Sequence, residues 1–163
     1  MDTITYQPIG IIHTPHKDPQ GTPIQPTAAQ GIPGTVEIHP RFAEGLLDLE
    51  GFSHILLLYH FDRVTETRLQ VKPFLDDELH GVFATRAPVR PNPIGLSIVR
   101  LVKIEGNILH IEDVDILDGT PLLDIKPYVD QFDVRSSEKQ GWLGNNVGNL
   151  PGKTDDGRFI AGE

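Results

Sequence analysis

Three prolines fall within six positions, Pro88, Pro91 and Pro93, inside the stretch "TRAPVRPNPIGLS" (residues 85–97). Each fixes its own φ and steers the residue before it away from helix, so Ala87, Arg90 and Asn92 are driven toward extended backbone. A stiff, non-helical connector therefore divides the chain between "LHGVFAT" and the apolar run "IGLSIVRLVKI". The other apolar runs are short, rich in β-branched residues and bounded by Pro, Gly and Asn, and hardly any segment is long enough to be a crossover helix. This pattern predicts a mainly β protein, a small closed or partly open β-barrel with one or two short helices. A dinucleotide-binding α/β fold does not fit, because no G-x-G-x-x-G joins a strand to a long helix.

In chain order, "ITYQPIGIIHT" reads as a first strand and "PHKDPQGTPIQPTAAQGIPG" (15–34) as a long loop of the kind that is commonly a functional lid or disordered. "TVEIH" is a short strand. "PRFAEGLLDLEGF" opens on Pro40 and closes near Gly51, the asymmetry of a short helix. "SHILLLYHF" shows no clear alternation and reads as a strand buried on both faces. An irregular piece over 62–77 leads to a strand at "LHGVFAT". "IGLSIVRLVKIEGNILHIEDVDIL" reads as two strands joined at Gly106-Asn107, and "DGTPLLDIKPYV" as a turn and one more extended piece. A barrel domain is expected over 1–143. The polar, Gly-rich remainder, 144–163, is expected to be mobile or to serve as an intersubunit arm.

A chain of 163 residues supports one hydrophobic core. It contains no cysteine, which removes disulfides, thiolate nucleophiles and Cys-based zinc sites. No apolar run suffices to cross a bilayer and the first residues lack a signal-peptide pattern, so a soluble, cytoplasmic protein with no membrane partner is expected. The net charge of -9 argues against broad adhesion to nucleic acid. Its distribution is uneven: residues 63–103 carry seven Lys and Arg against four Asp and Glu, whereas both flanking segments are acidic.

The proline-stiffened segment lies in that basic third. A pre-ordered loop loses little entropy when a ligand binds, and Arg86 and Arg90 would present planar cations to a carboxylate or phosphate. "DVDILDGTP" (113–121) crowds Asp113, Asp115 and Asp118 around an Asp-Gly turn without the spacing of a calcium loop. Its turn could hydrogen-bond a ligand through Asp118. The seven histidines include no paired metal-ligand motif, and no metal is expected; "YHFD" (59–62) is a donor-rich strand tip.

"GVFATRAPVRPNPIGLS", followed by "DVDILDGTPLLDIKPYV" and preceded near the start by "IGIIHTPH", resembles the TsaA-like, or TrmO, family of S-adenosylmethionine-dependent methyltransferases over about residues 4–143. The resemblance implies a small, commonly dimeric barrel that binds S-adenosylmethionine and methylates the exocyclic nitrogen of threonylcarbamoyl-modified adenosine beside the anticodon of tRNA. It implies cofactor contacts from Thr14, Pro15, His16, His60, Phe61, Arg86 or Arg90, Leu96, Asp118, Gly119 and Thr120. Arg86 or Arg90 would bind the cofactor carboxylate or a substrate phosphate, and Asp118 would accept the amine proton, so Arg90 and Asp118 are the candidate catalytic pair. Longer members carry a further C-terminal domain that this sequence does not show. With the acidic total charge, that leaves two alternatives beside tRNA: methylation of a small molecule, or a noncatalytic S-adenosylmethionine-binding module.

Overall fold

The computed structural model describes residues 1–150 and 152–159. Six antiparallel strands close into a barrel: β1 (Gly10–His13), β2 (Gly34–Ile38), β3 (His54–His60), β6 (Ile94–Glu105), β7 (Ile108–Glu112) and β8 (Thr120–Pro127). Around the barrel the order is β1-β2-β7-β6-β3-β8, with β8 returning to β1. A separate two-stranded ribbon pairs β4 (Gln70–Val71) with β5 (His80–Gly81). Among the described residues one α-helical turn occurs, α1, spanning Asp130–Asp133. The mainly β, closed-barrel expectation holds.

Alternation builds the core. Ile12, Val36, Ile55, Leu57, Val99, Leu109, Ile111 and Leu122 are buried and point inward from six strands. Each removes an apolar side chain from water, worth about 1.5–3 kcal/mol. Along β3 the pattern is strict: Ile55, Leu57 and Tyr59 are buried, while His54, Leu56, Leu58 and His60 are half-buried on the outside. The expectation of burial on both faces is corrected here, because the run is apolar on both faces of a barrel wall that has one interior.

Several boundaries also move. The first strand begins only at Gly10, and residues 1–8 are exposed. The segment after Pro40 winds as two 3-10 turns, Pro40–Leu46 and Leu49–Gly51. "LHGVFAT" pairs for two residues and then turns as a 3-10 helix over Val82–Ala84, which buries Val82. The β6–β7 hairpin is as expected, with Gly106 at φ 63° in the tight turn.

A second, smaller core joins Val71, Val82, Ala87 and Val89 to Phe159, with Phe74 packed against it. Phe159 is 5% exposed and meets Phe74 edge to face at 4.9 Å. The segment following residue 144 thus has a buried anchor. It is also zipped to the long loop by Gly21 N–H to Asp155 O at 2.7 Å and by Asp155 N–H to Thr22 O at 2.7 Å. These contacts belong to residues 152–159; the expectation for 151 and 160–163 lies outside the described residues.

Candidate functional site

The ends of β1, β3 and β7 and the starts of β2, β6 and β8 meet at one rim of the barrel, as their register requires. β6 is twelve residues long and pairs with β3 through its first half and with β7 through its second, and Ile94, Gly95 and Leu96 at its start line this rim. A cavity of about 670 Å³ opens there, a size that suits a nucleoside-bearing ligand.

The proline-stiffened segment forms one side. Ala87 and Val89 are buried in the second core, whereas Arg86, Pro88 and Arg90 line the cavity. An extended backbone alternates its side chains, so fixed φ values translate directly into fixed cationic positions. Arg86 Nη1 donates to Gln25 Oε1 at 2.8 Å. Arg90 Nη1 donates to Thr85 O at 3.0 Å and Ala87 O at 3.4 Å, bracing the segment it belongs to.

The floor is a hydrogen-bonded chain. Tyr59 OH and Ser97 Oγ are 3.0 Å apart, and Ser97 Oγ donates to Asp115 Oδ1 at 2.7 Å. Burial pushes the Asp115 carboxyl up to about 6, against the pull of Ser97 and Arg86. Burial first, and then the Asp115 charge, push the Tyr59 hydroxyl well above the usual phenol range, so it stays protonated. Among the described residues no cation lies within ion-pairing distance of Asp115. Phe61 meets Tyr59 edge to face at 5.4 Å and extends the wall.

Tyr59 can lie across the floor only because its cross-strand partner on β6 is Gly95. A Cβ on Gly95 would stand 2.8 Å from Tyr59 Cδ2 and closer still to Cε2 and Cζ.

Of the residues implied for the site, Phe61, Arg86, Arg90, Leu96 and Thr120 line the cavity. Thr14, Pro15, His16, His60, Asp118 and Gly119 do not. His60 lies on the outer face of β3, opposite Ile94. Thr14, His16, Asp118 and Gly119 instead tie a corner of the rim together. Thr14 N–H donates to Asp118 Oδ1 at 3.0 Å, Thr14 Oγ1 donates to Ile116 O at 2.7 Å, and His16 Nε2 lies 2.8 Å from Val114 O. Gly119, at φ 80°, donates its N–H to Ile12 O at 2.8 Å. Lys17 Nζ sits 2.7 Å from Asp118 Oδ2, and that hydrogen bond, followed by the one from Thr14, holds the Asp118 carboxyl below its usual range. Asp118→Ala should speed hydrogen exchange at the Thr14 amide by about tenfold, the equivalent of one lost hydrogen bond.

Asp115, Tyr59 and Ser97 were among the acidic cluster, the strand tip and the apolar run in the sequence, but nothing there marked them as one unit. Nothing in the sequence around Arg63 marks it as a site residue. It lines the cavity and bonds Lys17 O at 2.7 Å and Asp118 O at 3.0 Å, joining the β3 exit to the corner. Asp155 and Phe159 complete the lining from the far end of the chain.

The family model described as tRNA-methyltransferase O N-terminal domain matches residues 11–134. A probable S-adenosyl-L-methionine-binding protein of Pyrococcus abyssi is 62% identical over 158 residues, covering 97% of this chain and 86% of that protein. The human tRNA (adenine(37)-N6)-methyltransferase is 35% identical over 134 residues, which are 78% of this chain but 30% of the human protein. The crystal structure of TrmO from Pseudomonas aeruginosa aligns with a TM-score of 0.73 at 39% identity, covering 86% of this chain and 63% of that one. This chain therefore spans a part of the longer relatives.

Proposed function

Because the chain belongs to the TrmO family through its N-terminal barrel domain, we propose that it is an S-adenosylmethionine-dependent methyltransferase acting on the exocyclic N6 of adenine in tRNA. One observation carries this reading: Asp115 is a buried carboxyl that lines the cavity and, among the described residues, has no salt-bridge partner, Arg86 acting on it only from beyond ion-pairing distance. A buried charge is costly unless paired, and a cationic ligand relieves that cost. The sulfonium donor suits this seat in charge, and the cavity suits it in size.

When bound, S-adenosylmethionine supplies an activated methyl group: the S–C bond breaks, the N–C bond forms, the sulfur is left as a neutral thioether and the attacking nitrogen sheds a proton. The chain's own part is to hold, orient and exclude water. Arg90 keeps the loop rigid. Phe61, Leu96 and Phe159 present apolar surface. For the proton, Asp115 suits better than Asp118, whose carboxylate is turned to Lys17 and the Thr14 amide. The acceptor's N6 substituent in this reading is threonylcarbamoyl, with its carboxylate on Arg86, and the protein works in the cytoplasm. Among the described residues no helix is long and apolar enough to cross a membrane.

A homodimer belongs to the same reading. Ile94 and Leu96, 41% and 47% exposed, line the cavity and continue outward across β6 to Leu58 on β3. A second copy laid on this face would also cover the cavity mouth.

Calorimetry tests the donor site. S-adenosylmethionine should bind one per chain, about tenfold more tightly at pH 7 than at pH 5, because Asp115 titrates near 6 between them. S-adenosylhomocysteine, lacking the sulfonium charge, should show little of this dependence. Arg86→Ala and Arg90→Ala should each weaken binding or turnover by about tenfold, the first through a lost ion pair and the second through a loosened loop. No heat with either ligand rejects the reading, as does donor affinity that is flat between pH 5 and 7.

A further inference from the structure

A second hollow of about 560 Å³ adjoins the rim cavity. Trp142, Leu143, Val147 and Leu150 form much of its wall, and it shares Gln25, Phe74, Phe83, Arg86 and Phe159 with the first. Residues 142–159 lie beyond the 11–134 that match the family domain. This hollow is thus built where that barrel meets a segment the family model does not describe.

The two hollows differ in charge. Asp62, Asp115 and Asp155 line the first together with Arg63, Arg86 and Arg90, while the second has no carboxylate in its lining and a single ionised group, Arg86. A sulfonium donor therefore finds carboxylate partners in the first and none in the second. The second presents flat aromatic surface. The Trp142 indole is fixed, stacked on His80 at 4.6 Å between ring centroids with its N–H donated to Ala84 O at 2.8 Å. Phe83 is 75% exposed at the mouth. Arg86 stands on the boundary, and among the described residues Gln25 is its one side-chain partner, so the rest of its guanidinium is available to a ligand.

We propose that this second hollow receives the purine ring of the methyl acceptor, with the ring against the aromatic wall and its anionic substituent on Arg86. Methyl transfer needs two ligands in contact, and two hollows that share a wall provide that arrangement. The inference rests on the methyltransferase reading for its choice of ligand.

Trp142 is the chain's one tryptophan and lines the second hollow but not the first, so its emission reports this site alone. S-adenosylhomocysteine should bind in calorimetry and leave the emission nearly unchanged. N6-threonylcarbamoyladenosine, as the free nucleoside or within an anticodon stem–loop RNA, should then quench it. Val147→Phe, at a position 48% exposed, fills the hollow from its open side. It should weaken nucleoside binding at least tenfold and change S-adenosylhomocysteine affinity less than twofold, with an unchanged melting temperature. Tenfold weaker S-adenosylhomocysteine binding in this variant would make the second hollow part of the donor site. Unchanged nucleoside affinity would place the base elsewhere, and either result overturns the proposal. Quenching by the RNA but not by the nucleoside would overturn it too, since the base itself is the claimed occupant. A wild-type protein that binds no donor fails the methyltransferase reading, yet the nucleoside titration still decides this site.

Discussion

At pH 8, Asp115→Asn is expected to melt at a higher temperature than the parent protein and to transfer methyl groups about a hundredfold more slowly. Burial raises the Asp115 carboxyl from 3.8 to about 6 on folding. A raised acid favours the folded state when protonated, so its benefit is complete below pH 3.8, fades as pH rises toward 6 and is absent above it. There the buried charge costs on the order of 3 kcal/mol, from a shift of about two units. Asparagine removes the charge and keeps an oxygen to accept the Ser97 hydroxyl. The gain should therefore appear at pH 8 and vanish near pH 4. The rate falls because the uncharged amide neither attracts a cation nor accepts a proton, losses of about 10²–10⁴ for a missing base. Thermal melts at the two pH values together with a methyl-transfer assay on tRNA check both halves; a variant less stable at pH 8 and fully active would strip Asp115 of its assigned role.

Gly95→Ala is expected to cost about 3 kcal/mol in stability and at least a hundredfold in donor affinity. The added methyl group enters the space of the Tyr59 ring, which is 6% exposed and has nowhere to retreat inside the barrel. Either β3 and β6 separate, or the ring turns out and abandons Ser97. Both remove the floor beneath Asp115. Urea denaturation should show a lower midpoint with the slope preserved. The double variant Gly95→Ala with Tyr59→Val should recover most of the stability without the affinity, since it restores space but not the hydroxyl. Donor binding at parental strength in Gly95→Ala alone would mean the floor is not part of the site.

The fold was legible where chemistry is local. Pro88, Pro91 and Pro93 dictate an extended segment on their own, and Gly106-Asn107 dictates a turn, so the strand content and the β6–β7 hairpin follow from the sequence. The alternation along β3 was hidden because Leu56 and Leu58, on the outside of the wall, are as apolar as Ile55 and Leu57 inside it. Site residues divided along the same line. Arg86 and Arg90 were readable as cations on a rigid loop. Asp115 was one of three aspartates in a short stretch, and only closure of the barrel decides that it meets Ser97 while Asp118 meets Lys17. Phe159 was invisible for a different reason: an isolated aromatic in a polar, aperiodic run carries no pattern, and its burial depends on partners at Val71 and Phe74, far away along the chain.

Phe159 and Asp155 reach the rim only after all six barrel strands have been made, since β8 ends at Pro127. A ribosome adding roughly 5–20 residues each second needs a further second or more to deliver them. Closure of the barrel does not call on them, whereas the pocket lacks a wall until they arrive. Ligand binding is thus expected only of chains that have delivered Phe159, while formation of the strands is not.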